Sequence, residues 1–330
     1  MAKIAIIGSG FVGQANGKAL AKFGHEIIFT DIDGAKLEAL AREGYRAITP
    51  DKIEQEFIDV FFICVPTPTT EAGAKLTFIQ DAAKLIGIGA LRRLDNYPIV
   101  AVKSTVLPGT TRGIVLPILE QYSDKKAGRD FGVAFEPEYL RERVSTEDAE
   151  APKLVLIGSD DPHAASFLAW LRAPFRCPIE QVSLEEAEVQ KYVHNLFNAS
   201  KITFFNEMRT ICKRLGVDAE KIFPITAQTA EASWNPNYGI RDFGPYDGSC
   251  LPKDTAAFLL YAKEKLGHDM PLLSAVIAIN QTLEKEEAER GSKGGMAKKE
   301  APSLPSVRPA FSSSPPPLFS APSSSPSPLR

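Results

Sequence analysis

The sequence predicts an α/β fold: a doubly wound parallel sheet, then an all-α middle domain built on one long helix, then a tail with no packed structure. Three observations carry this reading. The apolar run Lys3-Ile4-Ala5-Ile6-Ile7 leads directly into Gly8-Ser9-Gly10-Phe11-Val12-Gly13 and an apolar-periodic helix. Short apolar runs then alternate with helical stretches to about residue 182, the order that builds parallel sheets. From 183 to 215 apolar residues (Val189, Val193, Leu196, Phe197, Ile202, Phe205) recur at helical spacing without a Pro or Gly.

The first strand is apolar from Ile4 to Ile7, as a strand covered on both faces must be. Gly8 allows a tight turn, Gly10 lets backbone N–H groups approach a pyrophosphate, and Gly13 lets the helix lie close against the strand. The second strand, Glu26 to Thr30, ends at Asp31. A carboxylate there can bond a ribose hydroxyl and repels a 2′-phosphate, so the expected cofactor is NAD rather than NADP. The nucleotide-binding domain is therefore expected to be Rossmann-type and to span about 1–182.

Strands follow at 60–65, ending in Pro66-Thr67-Pro68, and at 99–102, ending in Lys103-Ser104-Thr105. Two more are expected at 131–135, before Glu136-Pro137-Glu138-Tyr139-Leu140-Arg141-Glu142, and at 154–158. Loops after the strands of such a sheet form its binding edge. Thr105, Glu138 and Glu142 thus converge on the edge that carries the glycine loop. On residues alone, a solvated helix start is the plainer reading of the glutamates, since acidic side chains favour helix N-termini.

The long helix places Lys191 and Asn195 four apart, on one face. A lysine on a helix is usually a solvated charge, but one enclosed beside a nucleophile can serve as an acid/base. Further helices are expected at 219–230 and 272–290, with 231–247 as loop. Between them lies Gly248-Ser249-Cys250-Leu251-Pro252-Lys253-Asp254. Pro252 suits a helix first turn, which places Cys250 at the N-cap. The positive end of that helix, with Lys253 one turn away, favours a thiolate nucleophile. The alternative is a small core cysteine beside a solvated Lys253/Asp254 pair.

Composition narrows the partners. The formal charge of −3 on 330 residues gives no basic footprint for nucleic acid, and no apolar run spans a membrane. No apolar signal segment precedes Lys3, which makes the cytosol the default compartment. The four cysteines show no CxxC pairing and the four histidines no ligand spacing, so no metal site is expected. Beyond Gly291 the chain turns to Gly/Lys and then Ser/Pro, a composition that cannot bury enough apolar surface to order itself. The helical middle domain is expected to span 183–290 and the tail 291–330.

Together these stretches resemble the UDP-glucose/GDP-mannose 6-dehydrogenase family over about residues 2–285. The resemblance rests on the glycine loop, Val65-Pro66-Thr67-Pro68, Val102-Lys103-Ser104-Thr105-Val106, the Glu136 to Glu142 stretch, Lys191 with Asn195, and Gly248 to Asp254. It implies oxidation of a nucleotide sugar's C6 alcohol to a carboxylate with two NAD and one water, UDP-glucose first among the substrates. Cys250 would capture the aldehyde as a thiohemiacetal and carry it to a thioester. Lys191, Asn195, and a water held with Asp254 and Thr105 would manage the proton and the oxyanion. Glu138 would assist thioester hydrolysis, with Glu142 behind it. The implied cofactor-binding set is Gly8, Gly10, Phe11, Val12, Gly13, Asp31, Lys36, Pro66, Thr67, Thr105, Glu138 and Lys253. A homodimer built on the long helix is implied as well.

Two departures from the family pattern stand out. Asp247 occupies a position where glycine is expected before the cysteine, and its carboxylate would oppose ionisation of a nearby thiol. The family's second α/β domain, which reads the base, has a Ser/Pro tail in its place. The competing readings are the same chemistry on GDP-mannose or a UDP-N-acetylhexosamine, and a catalytically silent NAD-binding fragment.

Overall fold

The protein is described by a computed structural model over residues 1–70, 73–141, 144–236, 238–240, 244–247 and 250–293. Glu142, Gly248, Ser249 and the tail from 294 on lie outside the described residues. The chain divides into two compact units, Met1–Arg209 and the part from Thr210 onward.

The first unit is built on an eight-stranded sheet. Its strands are β1 (Lys3–Ile7), β2 (Glu26–Thr30), β3 (Arg46–Ile48), β4 (Val60–Ile63), β7 (Ile99–Val102), β8 (Gly132–Phe135), β9 (Val155–Gly158) and β10 (Ile179–Val182). A small hairpin, β5 (Thr69–Thr70) with β6 (Gly73–Ala74), stands apart. The spatial order is β10-β9-β8-β7-β4-β1-β2-β3. Order reverses beside β1, which opens the crevice where doubly wound sheets bind ligands.

Successive strand residues supply opposite faces. Phe61 and Phe62 are both fully buried, yet Phe61 joins the core cluster beneath α3 (Thr77–Leu85) and α4 (Leu116–Ser123). Phe62 joins the cluster beneath α1 (Phe11–Ala21) and α6 (Pro162–Arg172). Two-sided burial is the physical reason β4 reads Val-Phe-Phe-Ile without a polar residue.

The sheet is not parallel throughout, as the sequence had suggested. The neighbours β3-β2-β1-β4-β7-β8 pair in parallel, whereas β9 runs antiparallel to β8 and β10 runs parallel to β9. Among the described residues, the connection after β8 carries α5 (Ser145–Glu150), six residues long. That helix rises only about 9 Å, and β9 runs back alongside β8 at Phe135 and Gly158. Strands β3 and β10 and the hairpin were not anticipated, because their runs are short and half polar.

The long helix α7 spans Leu184–Leu215. Ser183 and Glu186 start it with a reciprocal cap, the Ser183 Oγ accepting from the Glu186 N–H and the Glu186 carboxylate from the Ser183 N–H. Gly216, at φ +68, ends it in the left-handed region. In the second unit α8 (Ala219–Thr229) is followed by α9 (Glu231–Trp234), a single turn where loop was expected, then α10 (Leu251–Leu266) and α11 (Pro271–Lys293). Gly267 closes α10 at φ +57. Tyr246 and Asn280 exchange two hydrogen bonds, 2.7 and 3.1 Å, tying the loop before α10 to α11. Among the described residues no helix is long and apolar enough to cross a membrane.

Candidate active site

The carboxyl edge of the sheet holds a cavity of about 830 Å³. The glycine loop forms its floor. Gly8 sits at φ +95 with its α-carbon against the Cys64 carbonyl, where a Cβ would lie 2.8 Å from that oxygen. Gly13 is tighter still, since a Cβ there would stand 2.1 Å from the Gly8 carbonyl oxygen. Both positions thus exclude any side chain. No side chain caps the first turn of α1, so its N–H groups and dipole are open to an anion such as a pyrophosphate.

Asp31 shapes the adjoining wall. Its carboxylate accepts from the Ser9 N–H at 2.7 Å and the Asp33 N–H at 2.9 Å, which locks the glycine loop to the end of β2. Lys36 stands 3.6 Å from it. Thr67 Oγ1 donates to the Thr105 carbonyl at 2.8 Å, joining the loops after β4 and β7. Of the expected cofactor residues, Gly8, Gly10, Phe11, Val12, Asp31, Lys36, Pro66, Thr67, Thr105 and Glu138 all line this cavity. Gly13 lies buried beneath the loop. Lys253 belongs to the second unit.

Sequence reasoning missed part of the lining. Phe78, Asp81, Ala82 and Leu85 line it from α3; their i, i+3, i+4, i+7 spacing was the signal that could have revealed that face. Cys64, at the end of β4, is buried, and burial pushes its thiol up to about 12, so it stays protonated at neutral pH. Lys103 also lines the cavity and is 4% exposed. Its Nζ meets Glu136 Oε1 at 2.9 Å, and Arg172 Nη2 meets the same oxygen at 2.6 Å. Burial lowers the Lys103 amine. Burial alone would raise Glu136, but the Arg172 and Lys103 cations outweigh it and hold the carboxyl below its ordinary range.

Against Glu138, which lines the cavity, α7 brings an amine to the loop after β8. Lys191 is 4% exposed, bonds the Glu138 carbonyl oxygen, and stands 3.3 Å from Glu138 Oε1. Tyr139 braces this contact, with its ring 5.2 Å from the amine and its hydroxyl donating to Gln190. Glu138 Oε2 accepts from the Leu140 N–H at 2.5 Å. Asn195, one turn further along α7, is exposed. The structure therefore unites Lys191, Glu138 and Thr105 at one sheet edge.

Cys250, Lys253 and Asp254 belong to the second unit. Cys250 is the residue before α10 and is exposed, the only one of the four cysteines that is. Lys253 and Asp254, both largely exposed, pair with each other. Asp254 also donates its N–H to the Cys250 carbonyl at 2.9 Å, which closes the first turn.

A doubly wound sheet with a dinucleotide cavity at its switch point, followed by an all-α segment, is the architecture of an NAD-binding oxidoreductase. The NAD binding domain of the UDP-glucose/GDP-mannose dehydrogenase family matches residues 2–55 and 41–176, and the central domain of the same family matches 185–282. The chain belongs to that family, and its cofactor is NAD. GDP-mannose 6-dehydrogenase of Pseudomonas putida is 35% identical, covering 85% of this chain and 68% of its own length. A UDP-glucose 6-dehydrogenase of Bacillus subtilis is 33% identical, covering 85% of this chain and 63% of its own. Among solved structures, a GDP-mannose dehydrogenase from Pseudomonas aeruginosa superposes with TM-score 0.81 at 32% identity, covering 88% of this chain and 71% of that one.

Proposed function

We propose that this chain carries out the four-electron oxidation of the C6 alcohol of a nucleotide sugar, UDP-glucose to its uronate, through covalent capture at Cys250. The observation that carries this reading is the buried Lys191 amine held against Glu138, a residue that itself lines the cofactor cavity. An amine and a carboxylate in a desolvated pocket beside a dinucleotide site are what proton transfer during alcohol oxidation requires.

NAD, when bound, supplies the hydride acceptor for each of the two oxidations. Lys191 and Asn195 would hold the C6 oxygen and pass its proton to water as the first hydride leaves C6 for NAD; the family resemblance alone assigns Asp254 and Thr105 to that water. Cys250 Sγ then adds to the aldehyde carbon; a C–S bond forms, and the carbonyl π pair moves to the oxygen, where Lys191 and Asn195 hold it. Loss of hydride from that carbon leaves a thioester on Cys250. Glu138 directs water onto it, the C–S bond breaks, and the thiolate and the carboxylate product separate. The fit of the cofactor rests on the side-chain-free Gly8/Gly13 floor and the uncapped α1 terminus.

GDP-mannose is the second reading, supported by the P. aeruginosa GDP-mannose dehydrogenase superposing better (TM-score 0.81) than a Pyrobaculum islandicum UDP-glucose dehydrogenase (0.65). The test is NADH release from the purified chain with NAD and either sugar nucleotide, beside Cys250→Ala. Two NADH per sugar, with turnover reduced about 10³-fold or more in the variant, is the expected result. NAD binding without turnover on any nucleotide sugar would leave a silent cofactor-binding chain instead.

The same reading includes a homodimer. Val189, Val193, Leu196, Phe197, Ile202 and Phe204 of α7 are all at least 44% exposed, an apolar stretch of the kind that protein association covers. Light scattering is expected to give twice the chain mass, and Phe197→Glu to return a monomer.

A further inference from the structure

Glu188 lies one turn before Lys191 on α7 and is fully buried, yet it has no place in the chemistry above. Its carboxylate accepts two backbone N–H groups, Gly109 at 2.5 Å and Thr111 at 2.8 Å. Those amides open the helical stretch that begins at Thr111 and runs into α4. A helix start has unsatisfied N–H groups and a positive dipole end, and a buried anion there makes short, charge-assisted bonds.

Such caps normally come from the residue at the helix start. Thr110 occupies that place, but its hydroxyl donates to the Leu107 carbonyl at 2.6 Å. The cap comes instead from a residue 79 positions away in sequence. Gly109 adopts φ +84, a conformation that suits glycine and presents its N–H to the carboxylate. One side chain therefore joins two parts of the site. The loop it grips leads back within a few residues to Thr105 and Lys103, which line the cofactor cavity. The helix it belongs to carries Lys191.

We propose that Glu188 is a positioning residue: it sets the distance between the cofactor loop, residues 103–111, and the α7 turn bearing Lys191. The proposal rests on the reading of the cavity and of Lys191 given above, and it predicts that loosening this grip disturbs cofactor affinity and turnover rather than stability alone. Glu185 supplies the control. It also anchors α7, through Arg112, but at an exposed position away from the cavity lining.

The experiment compares the full chain with Glu188→Gln, Glu188→Asp and Glu185→Gln by NAD titration, amide hydrogen exchange and, where turnover is measurable, steady-state kinetics. Glu188→Gln is expected to bind NAD about tenfold more weakly, a change of about 1.4 kcal/mol. Exchange at Gly109 and Thr111 should quicken, and kcat should fall while KM for the sugar nucleotide holds. Glu188→Asp, which keeps the charge with a shorter reach, should recover part of the affinity, and Glu185→Gln should match the parent chain. The proposal is overturned if Glu188→Gln binds NAD within about twofold of the parent with exchange unchanged. It also fails if Glu185→Gln weakens NAD binding equally. A parent chain that binds NAD but oxidises no nucleotide sugar would remove the reaction reading, while affinity and exchange still decide the role of Glu188.

Discussion

In the first unit Lys103, Glu136, Arg172, Glu188 and Lys191 are each at most 4% exposed and bonded to groups far away in sequence. In the second, Cys250, Lys253 and Asp254 stand exposed around a single helix start. The difference separates two uses of polar residues. Buried charges of the first unit hold the binding edge together, so changing one costs stability as well as function. Exposed groups of the second cost little to keep and little to remove; under the proposed reaction their value lies in turnover.

Glu136→Gln tests that contrast with the largest expected effect. It keeps the shape but leaves Lys103 and Arg172 buried without their shared carboxylate, and a loss of about 3–5 kcal/mol is expected. The pH dependence sharpens it. Unfolded, Glu136 takes its proton near the ordinary 4.5, and folded it holds out to lower pH. Its contribution is therefore complete above about 4.5 and drains away as pH falls below that. Thermal unfolding from pH 7 to 3 should show the parent chain losing its advantage over the variant in that acid window. An advantage that grows toward acid would contradict the assignment.

Gly13→Ala is expected next in size. The added Cβ, 2.1 Å from the Gly8 carbonyl oxygen, forces the loop and α1 apart, a strain of about 1–3 kcal/mol. Calorimetry should find both the melting temperature and NAD affinity lowered. If only the melting temperature moves, the loop is not part of the cofactor floor.

Asp254→Asn carries the smallest expected change in stability, within about 0.5 kcal/mol, because its partner Lys253 is itself exposed. Turnover on the sugar nucleotide is where its loss should appear. A denaturation midpoint well below that of the parent would show that the second unit, too, relies on its charges for folding.

Local pattern made much of the fold legible. Two-sided burial wrote continuous apolar runs into β1, β4 and β7, and the gap-free periodicity of α7 predicted its span to within one residue. The glycine loop declared its role because Gly8 and Gly13 have no room for a side chain, a requirement that leaves a trace at each position. The antiparallel entry of β9 left no such trace. The β9 run would read the same in either direction.

The sequence by itself determined the cofactor class, the strand cores and the long helix, because each depends on residues adjacent in the chain or spaced by one structural period. It also singled out Lys191, Glu138 and Thr105. Only the tertiary structure decided what holds them. Lys103 finds Glu136 33 residues on, Arg172 finds Asn16 at a separation of 156, and Glu188 caps a helix start 77 residues upstream of it. Such bonds have no periodicity to read. They exist because burying a charge demands a partner, and which partner is at hand is settled only when the strands and helices have packed.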